Sequence, residues 1–253
     1  MDPLLDPASS PVLIACSHGT RSTTGQQVVD ALRAAVRTAR PGLLVEGAQV
    51  DVHGPFLDET VERVCRGRDA VVVPLLLSSG YHVRVDIAEA LRAGHGRAVA
   101  APALGPGPEV VDILLERLGP WDGAVVLAAA GSSDARAQAD VETTVALLAD
   151  RLGRPVTSGF LSAQEPTVAD AVAAARAARP GPVAVVSYLL APGVFSARLA
   201  SVGADLVTEP LGVHPGLVDL LLARYDAAVA ESFPTPPADT TFRNSSPATS
   251  RAT

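Results

Sequence analysis

Residues 45–61 read Val45-Glu-Gly-Ala-Gln-Val-Asp-Val-His-Gly-Pro-Phe-Leu-Asp-Glu-Thr-Val61, and they align without a gap to Val156-Thr-Ser-Gly-Phe-Leu-Ser-Ala-Gln-Glu-Pro-Thr-Val-Ala-Asp-Ala-Val172. Two further pairs of segments align in the same order and at nearly the same spacing: Cys16-Ser-His-Gly19 with Ala128-Ala-Ala-Gly131, and Val73-Pro-Leu-Leu-Leu-Ser-Ser-Gly-Tyr-His82 with Val186-Ser-Tyr-Leu-Leu-Ala-Pro-Gly-Val-Phe195. Ordered matches at one spacing indicate a tandem duplication. The sequence therefore predicts two similar lobes.

The two copies differ in the side chains that could bind a metal. His18, Asp51 and His82 of the first copy are replaced in the second, in order, by Ala130, Ser162 and Phe195. Gly19, Pro55 and Gly80 near these positions have the counterparts Gly131, Pro166 and Gly193, so the scaffold was duplicated while the imidazoles and the carboxylate remain in one copy. This asymmetry predicts a functional site in the first lobe.

The fold class follows from an alternation of short apolar runs with helical patterns. Residues 12–16 form an apolar run that ends in a Ser-His-Gly-Thr turn, and a helical pattern follows over residues 23–39. The other predicted elements are strands over 44–52, 70–77, 99–103, 124–129, 156–161 and 183–190, and helices over 57–65, 83–93 and 108–118. Continuous apolar strands are typical of parallel sheets that are covered on both faces. The prediction is an α/β fold of two similar doubly wound lobes with parallel sheets.

Three regions of the chain are expected. Residues 11–120 form the first lobe with the metal site, and residues 121–231 form a degenerate repeat. Residues 232–253 are rich in proline and polar residues, which predicts a disordered tail.

Composition excludes several classes of protein. The chain has 253 residues, 48% of them hydrophobic, and a formal charge of −7, which disfavours binding to nucleic acid or to an anionic membrane. No apolar run approaches the length of a membrane span, and no secretory signal is evident, so we expect a cytoplasmic protein that acts on a small molecule. Cys16 and Cys65 form no CxxC pair and are expected to serve in packing.

The three candidate ligands fall at one edge of the predicted first sheet. His18 follows the first strand, Asp51 ends the second, and His82 lies in the loop after the third. Ligands of open α/β sheets bind beyond the carboxyl ends of the strands. Two imidazoles and a carboxylate suit Fe²⁺, Co²⁺, Ni²⁺ or Zn²⁺. The alternative is that each residue caps a turn or forms an ion pair. His95 and His214 are expected to be structural.

Three segments resemble the sirohydrochlorin chelatases of the CbiX/SirB type. They are Ser17-His-Gly-Thr-Arg21, Val50-Asp-Val-His-Gly-Pro55 and Val73-Pro-Leu-Leu-Leu-Ser-Ser-Gly-Tyr-His-Val-Arg-Val-Asp-Ile87, and the resemblance extends over about residues 11–230. It implies insertion of a divalent metal into sirohydrochlorin, with Fe²⁺ favoured and Co²⁺ next, for sirohaem or cobalamin synthesis. Sirohydrochlorin and the metal are then substrates, and no tightly bound cofactor is expected.

The resemblance also implies roles for individual residues. His18 and His82 match the metal-binding histidines of the family, and they are expected to capture the metal and remove protons. Asp51 stands where many members have glutamate, and His53 is an alternative to it.

Further expectations concern the substrate and the state of assembly. Arg21 and Arg84 are expected to bind the carboxylates of the tetrapyrrole, and Gly19 and Gly80 to allow close approach of the backbone. Two lobes in one chain make a monomer sufficient. A metal chaperone or sensor is the alternative function. A histidine phosphatase is disfavoured, because Ser17 stands where its arginine should precede the histidine.

Overall fold

The computed structural model describes residues 10–78 and 80–233, with Tyr81, His82 and Val83 described through their backbone alone. The predicted tail from residue 234 onward lies outside the described residues. The first repeat comprises β1 (Val12–Ser17), α1 (Thr23–Ala39), β2 (Val45–Gln49), α2 (Leu57–Cys65), β3 (Ala70–Pro74), α3 (Tyr81–Arg92), β4 (Ala98–Ala100) and α4 (Pro108–Leu118). The second comprises β5 (Ala124–Ala129), α5 (Ala135–Leu152), β6 (Val156–Phe160), α6 (Val168–Ala178), β7 (Val183–Tyr188), α7 (Val194–Leu199), β8 (Leu206–Val207) and α8 (Pro215–Ser232).

The described residues form two parallel sheets of the same topology. The strand orders are β2-β1-β3-β4 and β6-β5-β7-β8. In the first sheet Ser17 lies opposite Gln49, and Cys16 lies opposite Pro74, so the carboxyl ends of β1, β2 and β3 meet at one edge. The predicted α/β class with two similar doubly wound lobes is confirmed.

Both sheets are covered on both faces, which explains why every residue of β1 and of β7 is buried. One hydrophobic cluster fills the space between the sheets and includes Leu13 of β1 and Leu127 of β5. Separate clusters lie on the outer faces, beneath α2 and α3 in the first lobe and beneath α6 and α7 in the second. The strands of the sequence are continuously apolar because both faces of each parallel sheet are covered.

The last helix of each repeat packs against the other repeat. Helix α8 contacts β3 and α1 of the first lobe, whereas α4 contacts β7 and α5 of the second. Each sheet is therefore covered partly by a helix from its partner, and the two lobes share a core. Within the described ranges, no helix has the length and apolar character that crossing a membrane requires.

The duplication is visible in the backbone of the turns. Gly19 and Gly131, which align in the repeat, have φ of 104° and 89°. Val52 and Ala163, which also align, have φ of 75° and 58°. Left-handed backbone is uncommon for residues other than glycine, so its recurrence at matched positions supports a common origin of the two turns.

The elements at the site edge differ from their predicted bounds. Strand β2 ends at Gln49 and not at Val52, and Val52 itself has a φ of 75°, which is outside the range of extended strands. Strand β3 ends at Pro74, and helix α3 begins at Tyr81. His82 therefore lies in the first turn of a helix, not in the loop that the sequence predicted.

Candidate active site

A cleft of about 760 Å³ opens between the two lobes at the carboxyl ends of β1, β3, β5 and β7. Its first-lobe wall includes residues 17–20, 75–78 and Gly80, and its second-lobe wall includes residues 129–135 and 188–191. The described lining is mostly small or apolar and contains no lysine or arginine. Parallel α/β proteins bind ligands at this edge of the sheet, and the volume is in the range of small-molecule sites.

His18 is the histidine among the described residues that line this cleft. It follows directly after the last residue of β1, and its side chain is exposed. The chain then turns at Gly19 and enters α1, where the Ser22 hydroxyl caps the helix by accepting a hydrogen bond from Gly25 N at 3.2 Å. This short turn holds the ring of His18 at the edge of the sheet.

Asp51 is joined to His18 through the main chain. Asp51 N donates to His18 O at 2.9 Å, and Val50 N donates to Ser17 O at 2.9 Å, so the two loops continue the pairing of β1 with β2. The carboxylate is exposed, and its Oδ1 accepts from Val52 N at 2.6 Å. Asp51 is not among the residues that line the cleft. It lies on the loop next to that of His18, outside the cleft lining.

A buried arginine fixes the ends of these two strands. Arg33 of α1 donates from Nε and Nη2 to Ala15 O at 3.2 and 3.0 Å, and from Nη2 to Ala48 O at 3.0 Å. Its Nη1 donates to Asp30 Oδ1 at 2.9 Å. A methyl group on Gly47 would lie 2.8 Å from the guanidinium carbon, so Gly47 makes room for it. Arg33 therefore holds together the ends of β1 and β2, from which the loops that carry His18 and Asp51 begin.

The remaining predicted site residues lie on the loop and helix that follow β3, and at the start of α1. Gly80 lines the cleft, but the side chain of His82 lies outside the described residues. Arg21 and Arg84 are both exposed, and neither lines the cleft. Among the side chains that the structure describes, no three His, Cys, Asp or Glu residues converge as a metal site. The cleft thus brings together His18, Gly19 and Gly80.

His53 connects the two loops of the site. Its Nε2 lies 3.0 Å from Gln26 Nε2 and 3.2 Å from Thr20 O, and its Nδ1 lies 3.0 Å from Gly54 O. Gln26 Nε2 also donates to Thr20 O at 2.8 Å. Both ring nitrogens of His53 are therefore within hydrogen-bond distance of protein atoms, in a loop and not on the strand where the sequence placed it.

The second lobe supplies polar residues that the sequence did not single out. Gln164 aligns with His53 in the repeat and plays a similar part, since its Oε1 accepts from Ser132 N at 2.9 Å. Asp134 caps α5 by accepting from Arg136 N at 2.9 Å, and its Oδ2 is buried without a partner in the described chain. Both residues line the cleft. The repeat alignment could have identified Gln164, and Asp134 stands where an N-cap residue is expected before α5.

The two cysteines and the remaining histidines, His95 and His214, are not among the residues that line the cleft. Cys16 and Cys65 are both buried, and burial raises the pKa of the Cys16 thiol to about 12 and that of Cys65 above its usual value. His95 is exposed in a turn with φ of 49°. His214 caps α8 by accepting from Gly216 N at 3.2 Å, and its Nε2 lies 2.9 Å from Glu116 Oε2.

Comparison with known proteins agrees with this architecture. Residues 12–120 and 124–228 each match the CbiX family. A protein of Sulfolobus acidocaldarius named sirohydrochlorin cobaltochelatase is 32% identical over 109 residues, which are 42% of this chain and 87% of that protein.

Two solved structures have a similar fold. SirB from Bacillus subtilis with Fe³⁺ has a TM-score of 0.76 at 23% identity, covering 88% of this chain and 97% of that one. The sirohydrochlorin chelatase SirB from Bacillus subtilis subspecies spizizenii in complex with cobalt has a TM-score of 0.72 at 20% identity, with 88% and 96% covered. Because both halves of the chain match one family over nearly all the described residues, the chain belongs to the CbiX family.

Proposed function

We propose that this chain is a sirohydrochlorin chelatase, which inserts a divalent metal ion into the tetrapyrrole. The observation that carries the proposal is the position of His18 on a largely apolar cleft of about 760 Å³ between the lobes. Such a cleft suits a flat macrocycle, and the imidazole at its edge suits the incoming metal. Membership of the CbiX family supports the same reaction.

Fe²⁺ is the proposed physiological metal, with Co²⁺ next. The relatives point in both directions: one SirB structure is described with Fe³⁺ and another with cobalt, and the Sulfolobus relative is named as a cobaltochelatase. Affinity of nitrogen and oxygen ligands rises from Fe²⁺ through Co²⁺ to Ni²⁺, so supply can decide which metal is used. The product would be sirohaem with iron or a cobalamin precursor with cobalt.

The reaction requires that two pyrrole protons leave as the metal enters. His18 and His82 are proposed to hold the ion and to accept protons, because an imidazole can do both near neutral pH. Asp51 is proposed to hold or orient them, since its main chain is bonded to that of His18. The second lobe, whose wall includes Gln164 and Asp134 among small and apolar residues, would then support one face of the macrocycle.

Arg21 and Arg84 are proposed to bind the carboxylates at the rim of the substrate. Both side chains are exposed, and neither is part of the cleft wall, so they are available to contact groups that project from the cleft. A protein with a formal charge of −7 needs such local cations to attract a polycarboxylate. One chain supplies both walls of the cleft, and we propose that a monomer, with its site in the first lobe, is active.

Turnover distinguishes this function from its alternative, a metal chaperone or sensor. Catalytic amounts of the protein would be mixed anaerobically with excess sirohydrochlorin and Co²⁺, and the tetrapyrrole absorbance followed against a protein-free sample. We expect many equivalents of product for each chain. Tight stoichiometric Co²⁺ binding with no acceleration of metallation would contradict a chelatase and favour a metal carrier.

A further inference from the structure

The hydroxyl of Tyr188 makes a hydrogen bond that crosses from the second lobe to the first. Tyr188 is the last residue of β7, and its OH donates to Leu77 O at 2.6 Å. On its other side, Thr144 Oγ1 of α5 donates to the same hydroxyl at 3.1 Å. Tyr188 is 3% exposed, Leu77 is 8% exposed and Thr144 is fully buried, so this short chain of hydrogen bonds is enclosed in the shared core.

The acceptor belongs to the segment that leads to His82. Residues 75–77 follow β3 and are tied down one after another: Leu75 N donates to Cys16 O at 2.7 Å, and Leu104 N donates to Leu76 O at 2.9 Å. Those two bonds lie within the first lobe. Tyr188 adds a bond from the second lobe, and it anchors this segment just before the chain enters α3, the helix in which His82 lies.

Gly105 packs closely against both oxygens of this hydrogen bond. A methyl group added to Gly105 would lie 2.4 Å from Leu77 O and 2.5 Å from the Tyr188 hydroxyl oxygen. Real Cβ atoms do not come this close to other atoms, so only glycine fits at position 105, with its backbone against the two oxygens. Burial also raises the pKa of Tyr188 to about 12, so the hydroxyl keeps its proton and remains a donor.

The repeat shows that this bond is specific to the second copy. Tyr188 aligns with Leu75 of the first copy, which has no hydroxyl to donate. The two lobes are therefore asymmetric in complementary ways. The first lobe carries the candidate metal ligands. The second carries the Tyr188 hydroxyl, which donates to Leu77 O in the segment that leads to His82.

We propose that Tyr188 is a positioning residue, which holds Leu77 and thereby the start of the segment that leads from β3 to His82. This role rests on the proposed function, because it requires His82 to be a metal ligand. Tyr188 would contribute to metal capture through Leu77 and not through contact with the metal. Loss of the hydroxyl should therefore weaken metal binding while leaving the ring in the cleft wall.

The test compares Tyr188→Phe with Thr144→Val. Tyr188→Phe removes both hydrogen bonds of the hydroxyl, whereas Thr144→Val removes only the bond from Thr144. Only Tyr188→Phe therefore releases the Leu77 carbonyl. Co²⁺ affinity would be measured by absorbance titration, and KM for Co²⁺ and for sirohydrochlorin by steady-state kinetics. We expect Tyr188→Phe to raise the dissociation constant and the KM for Co²⁺ about 10-fold, as for other partners that orient metal ligands. The KM for sirohydrochlorin should stay near the wild-type value, and Thr144→Val should match the wild type in all three quantities.

Two further variants keep the outcome decisive. Gly105→Ala crowds the same pair of oxygens and should weaken Co²⁺ binding in the same direction, which provides a second route if Tyr188→Phe fails to fold. Wild-type Co²⁺ affinity in Tyr188→Phe, together with a large loss in His82→Ala, would overturn the positioning role alone. Unchanged affinity in His82→Ala would instead overturn the metal site, and the role of Tyr188 with it.

Discussion

The backbone of Gly19 lies directly against the main-chain carbonyl of Asp51: a methyl group added to Gly19 would stand 2.1 Å from that oxygen. The repeat preserves the contact, since a methyl group on Gly131 would stand 1.9 Å from Ser162 O. In both lobes, the turn after the first strand and the loop after the second can approach only because the turn contains glycine. In the first lobe these loops carry His18 and Asp51.

Gly19→Ala should disrupt the site more than an ordinary glycine substitution would. The added methyl group meets a backbone oxygen, and the residue has φ of 104°, which disfavours any side chain. We expect a loss of about 3 kcal/mol in the free energy of unfolding, measured by urea denaturation, and a weaker affinity for Co²⁺.

Gly96→Ala is the matched control, because Gly96 has φ of 84° but nothing lies within 4 Å of the added methyl group. This variant should lose only about 1–2 kcal/mol and should bind Co²⁺ normally. Equal effects of the two substitutions would contradict a special contact between Gly19 and Asp51.

Asp51→Ser should weaken metal binding while keeping the loop intact. Serine is the residue at the equivalent position 162, where its Oγ donates to Ala130 O at 2.8 Å, so the second lobe shows that the turn accepts it. Loss of the carboxylate should raise the Co²⁺ dissociation constant about 10-fold to 100-fold, measured by absorbance titration. Asp51→Glu, which restores the charge, should recover most of the affinity. Wild-type affinity in Asp51→Ser would exclude the carboxylate from metal capture.

His53→Gln should preserve both stability and metal binding. His53 bridges Gln26 and Thr20 in the first lobe, and Gln164 makes the equivalent bridge to Ser132 in the second. A glutamine can therefore take over the connection, whereas His53→Ala removes it and should lower the thermal midpoint. Calorimetry and Co²⁺ titration of the two variants provide the measurement. A large loss of Co²⁺ affinity in His53→Gln would show instead that His53 is a ligand.

Stability should fall at alkaline pH because buried groups, Cys16 and Tyr188 among them, resist losing their protons. Burial raises the pKa of Cys16 from 9.0 to about 12 and that of Tyr188 from 10.0 to about 12. Above about pH 9 the unfolded chain binds fewer protons than the native protein, so the free energy of unfolding declines as pH rises towards 12. Each group contributes a slope of about 1.4 kcal/mol per pH unit within its window.

Urea denaturation at a series of pH values would measure this decline. Cys16→Ala should reduce the part of the decline that begins near pH 9, to which Cys65 also contributes, and leave the part that begins near pH 10. Stability that rises between pH 9 and pH 11 would contradict the burial of these protonated groups.

The sequence predicts regular elements well where one local pattern decides them. Helices α1, α2 and α4 and strand β5 have the bounds that periodicity and turn residues indicated. The loop after β2 is different, because Val52 is a β-branched residue that reads as strand. Its positive φ accompanies the contact between Gly19 and Asp51, which lie 32 residues apart in the chain. No local pattern contains that information.

The candidate site was predictable only in part for a similar reason. His18 stands out because the second copy lacks it, and the structure finds it on the cleft. Tyr188 gains its partner Leu77 from the packing of one lobe on the other, and no spacing along the chain reveals that pair. A comparison of the two copies identifies the side chains that are present in one copy only. It cannot show which residues face each other across the cleft.

The most direct measurement is the anaerobic rate of metal insertion into sirohydrochlorin, followed by absorbance with Fe²⁺ and separately with Co²⁺. Wild type, His18→Ala and His82→Ala would be compared with the uncatalysed reaction, with circular dichroism to establish that each variant is folded. We expect the wild type to accelerate insertion and both variants to lose nearly all of the acceleration. A wild-type rate equal to the uncatalysed rate with both metals would contradict the chelatase function, and full activity in the variants would contradict a site in the first lobe.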